Sequence, residues 1–282
     1  MSAKGRPERE LLLLGGKARS AAGAPVNPMA FVDVCGRRIE YERIGIAPAA
    51  RPTLVFLHEG LGSVAMWRDF PGRVAQATGC SALVYSRCGY GRSEALRGDR
   101  TVRYMHDEAL AALPELLDKL AIARPILVGH SDGASIALIH AGAAGRPVAG
   151  LVLMAPHVMV EDVSIASIAA AKLAYETTDL RAKLGRHHDD VDSAFWGWNR
   201  IWLDPEFRAW NIEEYLPRIG CPLLAIQGAD DEYGTMEQLR RIAQAVPGAE
   251  FVALADCRHS PHKDQPDAVI EAVTRFVDRV TA

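Results

Sequence analysis

The sequence predicts an α/β fold, with a mostly parallel central sheet flanked by helices and a helical cap inserted between two of its strands. Three observations carry this prediction. From Thr53 onward, short apolar runs alternate with longer stretches of helical periodicity, the pattern of parallel strands joined by crossover helices. Residues 156–217 break that rhythm. They contain no run resembling a buried strand, and they hold Trp196, Trp198, Trp202 and Trp210, four of the five tryptophans. The chain of 282 residues, 49% hydrophobic and 24% charged, has the composition of a globular protein able to bury a large core without staples.

Residues 1–28 are dominated by Gly, Ala, Pro, Arg and Lys and read as a loose tail. The four leucines at 11–14 are too few for the apolar region of a signal peptide, and Met29 is a candidate alternative start. Residues 31–34 (FVDV) and 38–42 (RIEYE) flank Gly36 and predict an antiparallel hairpin at the sheet edge. Residues 53–57 (TLVFL) form a continuous apolar run, as a strand buried on both faces does. Residues 81–85, 125–128, 150–154, 222–226 and 250–254 repeat the type. Between them, 106–120 carries Leu110, Leu113, Leu117 and Leu120 at helical spacing, and 135–144, 235–246 and 264–280 predict helices likewise. The expected division is a core of 29–155 and 218–282, with 156–217 as a cap over the strand ends.

A net charge of −3 provides no field to attract nucleic acid or an anionic membrane, and no window reaches the length of a membrane-spanning helix. Cys35, Cys80, Cys88, Cys221 and Cys257 are scattered singly and odd in number, which fits buried, inert, reduced thiols in a cytoplasmic protein. The expected partner is a small-molecule substrate, with neither nucleic acid nor membrane involved; oligomeric state is not readable.

The strongest chemical signal is Gly129-His130-Ser131-Asp132-Gly133, which follows the strand at 126–128 and opens a helical run. A strand-to-helix turn this sharp holds its central residue in strained backbone angles with the side chain exposed. The helix N-terminus then directs N–H groups and positive dipole at a developing oxyanion. Serine needs a base and an orienting acid, in chain order Ser, Asp or Glu, then His. The C-terminal part offers both after consecutive strands: Gln227-Gly-Ala-Asp-Asp-Glu-Tyr233 and Ala255-Asp-Cys-Arg-His-Ser-Pro-His262.

With these motifs the chain resembles the α/β-hydrolase fold family from about Phe31 to its C-terminus. The family's G-x-x-D matches Gly228-Ala-Asp230-Asp231, which implies Asp231 as the triad acid with Asp230 its neighbour. The family's Gly-His-Ser-Pro-type segment matches Arg258-His259-Ser260-Pro261, which implies His259 as the base, with Arg258 in place of the usual Gly. His262 is expected at a helix start or on the surface, and His130 packed behind the nucleophile. The resemblance implies an oxyanion hole formed by the backbone N–H of Asp132 and a second donor in Leu57-His58-Glu59-Gly60-Leu61-Gly62, with Gly60 preferred over Leu61. Glu59 replaces the usual first Gly of that loop; its carboxylate should point away from the hole, or pair with Arg or a substrate cation, and Arg87, in a mainly structural turn after the fourth strand, is a candidate partner.

His187, His188, Asp189, Asp190 and Asp192 look like metal ligands, but a contiguous charged run is ordinarily a solvated loop or helix start, so no metal is expected. Cap tryptophans are first of all packing residues. Trp196, Trp198 and Trp202, with Glu59, Leu61 and His157, are the candidate lining of a hydrophobic or aromatic pocket. The implied activity is that of a serine hydrolase cleaving an ester or thioester through an acyl-enzyme, with no cofactor. The same triad also serves carbon–carbon bond hydrolysis of ring-cleavage products or cofactor-free haloperoxidation, and more remotely the fold serves a lyase or a non-catalytic receptor.

Overall fold

A computed structural model describes residues 29–45 and 51–282. The predicted tail at 1–28 lies outside the described residues. Eight strands form one sheet: β1 (Ala30–Val34), β2 (Arg37–Ile44), β3 (Leu54–Leu57), β4 (Ala82–Tyr85), β5 (Ile126–His130), β6 (Gly150–Met154), β7 (Leu223–Gly228) and β8 (Glu250–Leu254). Their order is β1-β2-β4-β3-β5-β6-β7-β8; β1 and β2 pair antiparallel, as do β2 and β4, and the other neighbours run parallel. The hairpin turns at Cys35 and Gly36, both with positive φ. Strands β3 to β7 are buried at every residue, because helices cover both faces of the sheet.

The last strand departs from the sequence reading. β8 lies at the sheet edge with none of its residues buried, and Phe251 is exposed. A strand that ends the sheet need not be apolar on both faces, and a short apolar run does not reveal its place in the order.

Helices α1 (Phe70–Thr78), α2 (Tyr104–Asp107), α3 (Leu113–Lys119), α4 (Asp132–Ala143), α8 (Glu237–Ala245), α9 (Pro261–Asp264) and α10 (Pro266–Thr281) belong to the sheet layer, and α5 (Asp162–Thr177), α6 (Leu180–Leu184) and α7 (Val191–Trp202) lie between β6 and β7. Leu110 is exposed, contrary to its helical spacing. A π turn at Glu108–Ala112 joins α2 to α3 and resets the register, so Ala109, Leu113, Leu116 and Leu117 face the core instead. α4 is buried continuously from Asp132 to His140, at the centre of the molecule.

The inserted segment is helical, ending in the short turns Pro205–Ala209 and Glu213–Arg218. Its tryptophans pack mainly inward. Trp202 and Trp210 cluster with Phe207, and Phe195 stacks on Tyr175 at 3.6 Å. The cysteine expectation holds only for Cys80 and Cys257. Cys35 is exposed, its thiol directed to the Glu115 carboxylate at 3.3 Å, and Cys88 and Cys221 are half-buried. No described helix is long and apolar enough to cross a membrane.

Candidate active site

Ser131 sits between β5 and α4 with φ 53° and ψ −118°, a left-handed conformation that a non-glycine residue adopts only when its surroundings enforce it. The flanking glycines allow the turn. A Cβ on Gly133 would lie 2.0 Å from the Leu57 carbonyl oxygen, and one on Gly129 2.5 Å from Ala134 Cα. The Ser131 amide donates to Met154 O at 2.9 Å, tying the turn to β6.

The structure brings three distant stretches together at the strand ends. Ser131 Oγ is 2.9 Å from His259 Nε2, and His259 Nδ1 is 2.8 and 3.0 Å from the two Asp231 carboxylate oxygens. Nδ1 faces a carboxylate and therefore carries the proton, leaving the Nε2 lone pair toward the serine hydroxyl. Asp231 is anchored in turn: Oδ2 accepts from Gln227 Nε2 at 2.6 Å, and Oδ1 from the amides of Tyr233 at 2.8 Å and Gly234 at 3.2 Å. Burial pushes its pKa up, but the His259 ring and the Tyr233 amide outweigh this and hold it below the usual carboxylate value. Asp230 is exposed beside it.

The amide of Asp132, first residue of α4, has no intrahelical acceptor, and the amides of Gly60, Leu61 and Asp132 donate to no group among the described residues. All three residues line the same cavity as Ser131 and His259, a space of about 180 Å³. The Asp132 side chain points away, accepting from Tyr104 Oη at 2.8 Å, and Tyr104 Oη accepts from Trp202 Nε1 at 3.0 Å.

One expectation about charge is corrected. Arg87 does not pair with the Glu59 carboxylate. Its guanidinium donates to the Glu59 carbonyl oxygen at 2.9 Å and lies 3.6 Å from Asp132, so it braces the loop through its backbone. The Glu59 carboxylate instead meets Lys263 Nζ at 3.1 Å and faces His130 Nδ1 at 3.5 Å. Burial opposes its charge, yet Lys263 and His130 hold its pKa well below the ordinary range. His130 is packed behind Ser131, its Nε2 donating to the His259 carbonyl oxygen at 2.7 Å.

His262 is not on the surface. It begins α9 but is 4% exposed, wedged among Trp67, Phe70 and His130, and neither ring nitrogen has a partner among the described residues. Of the cap tryptophans, Trp198 and Trp202 line the cavity and Trp196 does not; it sits at a separate surface depression under Arg200. His157, Leu61 and Glu59 line the cavity.

Three residues of the charged run at 187–192 engage protein groups through their side chains. His188 is buried, accepting from the Gly91 amide at 2.9 Å and donating to Leu61 O at 3.0 Å. The Asp190 side chain caps α7, and Asp192 binds Tyr175 and Arg181. His188, Gln227 and Ser135, whose hydroxyl holds the His157 carbonyl oxygen at 2.6 Å, are supports that sequence reasoning missed. Only their contacts across the fold distinguish them from ordinary polar residues.

A sequence model of the Alpha/beta hydrolase family matches residues 54–272. The protein named "Putative carbamate hydrolase RutD" of Caulobacter sp. (strain K31) is 27% identical over 263 residues, covering 84% of this chain and 95% of that protein. Among solved structures, the enol-lactonase from Burkholderia xenovorans LB400 superposes with a TM-score of 0.69 at 23% identity, covering 88% of this chain and 100% of that one. A structure from a study of carboxylesterases of Nitrososphaera gargenis gives 0.72 at 19% identity, covering 89% and 99%. With the family's sequence pattern matched across most of its length, on a sheet of this order and direction, the chain belongs to the Alpha/beta hydrolase family.

Proposed function

We propose that this hydrolase cleaves a carboxylic ester or thioester of a small to medium substrate through an acyl-enzyme on Ser131. The observation that carries this reading is the unbroken hydrogen-bonded line from Ser131 Oγ through His259 to Asp231. His259 Nε2 takes the hydroxyl proton as Ser131 attacks the carbonyl carbon. Asp231 holds the ring in the tautomer that can accept that proton and stabilises the imidazolium. The tetrahedral oxyanion receives the amides of Asp132 and Gly60, which have no other acceptor among the described residues. His259 returns the proton to the leaving group, and water activated by the same imidazole releases the acyl group.

The name of the RutD relative makes a carbamate, with the same carbonyl electrophile, a natural member of a test panel. The experiment is a panel of aryl esters, acyl thioesters and aryl carbamates with the wild type and Ser131→Ala, together with titration by an aryl phosphonate. Stoichiometric labelling of Ser131 and a fall in kcat of about 10³-fold or more in Ser131→Ala are expected. Unchanged esterase activity in Ser131→Ala would remove the mechanism.

A further inference from the structure

The cavity over Ser131 is also lined by His157 and Trp198, each with a ring nitrogen that no group among the described residues takes up. His157, just past β6, is 2% exposed, packed edge-on to Trp202 at 5.3 Å and against His259 at 5.7 Å. Its Nδ1 is buried beside Gly234 without a hydrogen-bond partner among the described residues. Its Nε2 bonds to none of the described residues and is not a sealed atom, so it faces the cavity the ring lines. Burial and the neighbouring His259 push the pKa of His157 down to about 3, so the ring is neutral and carries one proton. On Nδ1 that proton would be sealed where nothing accepts it. On Nε2 it meets water or substrate, so the tautomer with the smaller desolvation cost has Nε2–H.

Trp198 reaches in from the opposite layer, on α7. Its indole lies over Gly60, where an added Cβ would come within 2.2 Å of Nε1. Indole N–H can only donate, and it has no acceptor among the described residues. The Trp202 indole differs, being bonded to Tyr104. The charged lining is one-sided as well. Of the charged side chains, Glu59 and Glu232 line the cavity and, among the described residues, no Lys or Arg does; Lys263 stands behind the Glu59 carboxylate. A carboxylate on the substrate would meet like charge and no cation.

We propose that His157 Nε2–H and Trp198 Nε1–H form a neutral acceptor-binding subsite, and that the substrate is an uncharged ester carrying a second oxygen acceptor such as a ketone, ether or carbamoyl oxygen, with carboxylate-bearing substrates rejected. This inference rests on the ester-hydrolase reading above.

The test compares kcat/KM for three 4-nitrophenyl esters: pentanoate, 4-oxopentanoate, and the monoester of glutarate. Each is corrected for its uncatalysed rate and reactivity toward hydroxide, and each is referred to active sites titrated with phosphonate. The wild type should prefer 4-oxopentanoate to pentanoate by about tenfold, the worth of one buried hydrogen bond. It should take the glutarate anion at least about tenfold less well than pentanoate. His157→Phe, which keeps the ring and loses the donor, should bring the first ratio near one through KM, and His157→Gln should restore part of it. A wild-type ratio of one, a preference for the glutarate anion, or a ratio that survives His157→Phe would each overturn the inference. The wild-type ratios decide it even if a variant fails to fold. If pentanoate is not hydrolysed at all, the ester-hydrolase reading fails first; hydrolysis without the acceptor preference sinks only this inference.

Discussion

Lowering the pH from about 7.5 to about 5.5 should weaken the folded state by several kcal/mol, because histidines and not carboxylates titrate in that interval. Three histidines are held neutral most firmly. His58 Nε2 accepts the Arg87 amide at 3.0 Å and so cannot take a proton without losing that bond, His157 is pushed down to about 3, and His262 is buried with no partner on either nitrogen among the described residues. Burial is the main cause for each, with the charge of Arg87, His259 or His130 added. Their folded pKa values lie below the unfolded value of about 6.5, so the unfolded chain binds more protons in this window and stability falls as pH drops. Each loses about 1.4 kcal/mol over the interval, and the three together about 4 kcal/mol, a large part of a typical stability. Glu108, whose pKa burial raises, acts in the opposite direction. Asp231 and Glu59 have lowered pKa values and lose their contribution only at more acidic pH. Urea unfolding followed by tryptophan fluorescence at the two pH values measures the loss. His262→Phe supplies the control, since its neighbours are Trp67, Phe70 and His130 and it forfeits no hydrogen bond. That variant should show a pH loss smaller by about 1.4 kcal/mol. Equal stability at the two pH values, or an undiminished loss in His262→Phe, would refute the account of these rings as buried and neutral.

Two further substitutions probe the loop after β3. Gly60→Ala places a methyl 2.2 Å from Trp198 Nε1, so the indole must tip away; a cost of about 1–3 kcal/mol in thermal unfolding is expected, with a fall in kcat/KM on aryl esters. Arg87→Met leaves the Asp132 carboxylate buried without its cation and the Glu59 carbonyl with the His58 ring as its remaining donor, so chemical denaturation should show a loss of about 3–5 kcal/mol.

The central strands were legible because parallel strands covered on both faces must be apolar at every position, and residues 150–154 match β6 residue for residue. Position in the sheet was not legible, which is why β8 read like its neighbours although it lies at the edge. α1 went unread: Pro71 and Gly72 stand at its start, and both weigh against a helix when neighbours are ignored. The motif around Ser131 was readable because its chemistry is local, a strand, a turn and a helix in sequence. The partner of Glu59 was not, since Lys263 is 204 residues away and lies alongside only once α9 has folded over the site. His188 was hidden for the opposite reason, its neighbours in sequence being so polar that a single buried ring could not be picked out.

That ring joins parts of the molecule that are often considered separately. Through its two nitrogens His188 fastens the segment ahead of α7 to the turn at Gly91 and to Leu61, and the Asp189 amide adds a further link to Gly91. The inserted helices are thus moored beside the very loop proposed to receive the oxyanion. A swing of α7 outward would drag on position 61, so access to the serine and readiness to react become competing demands on one imidazole.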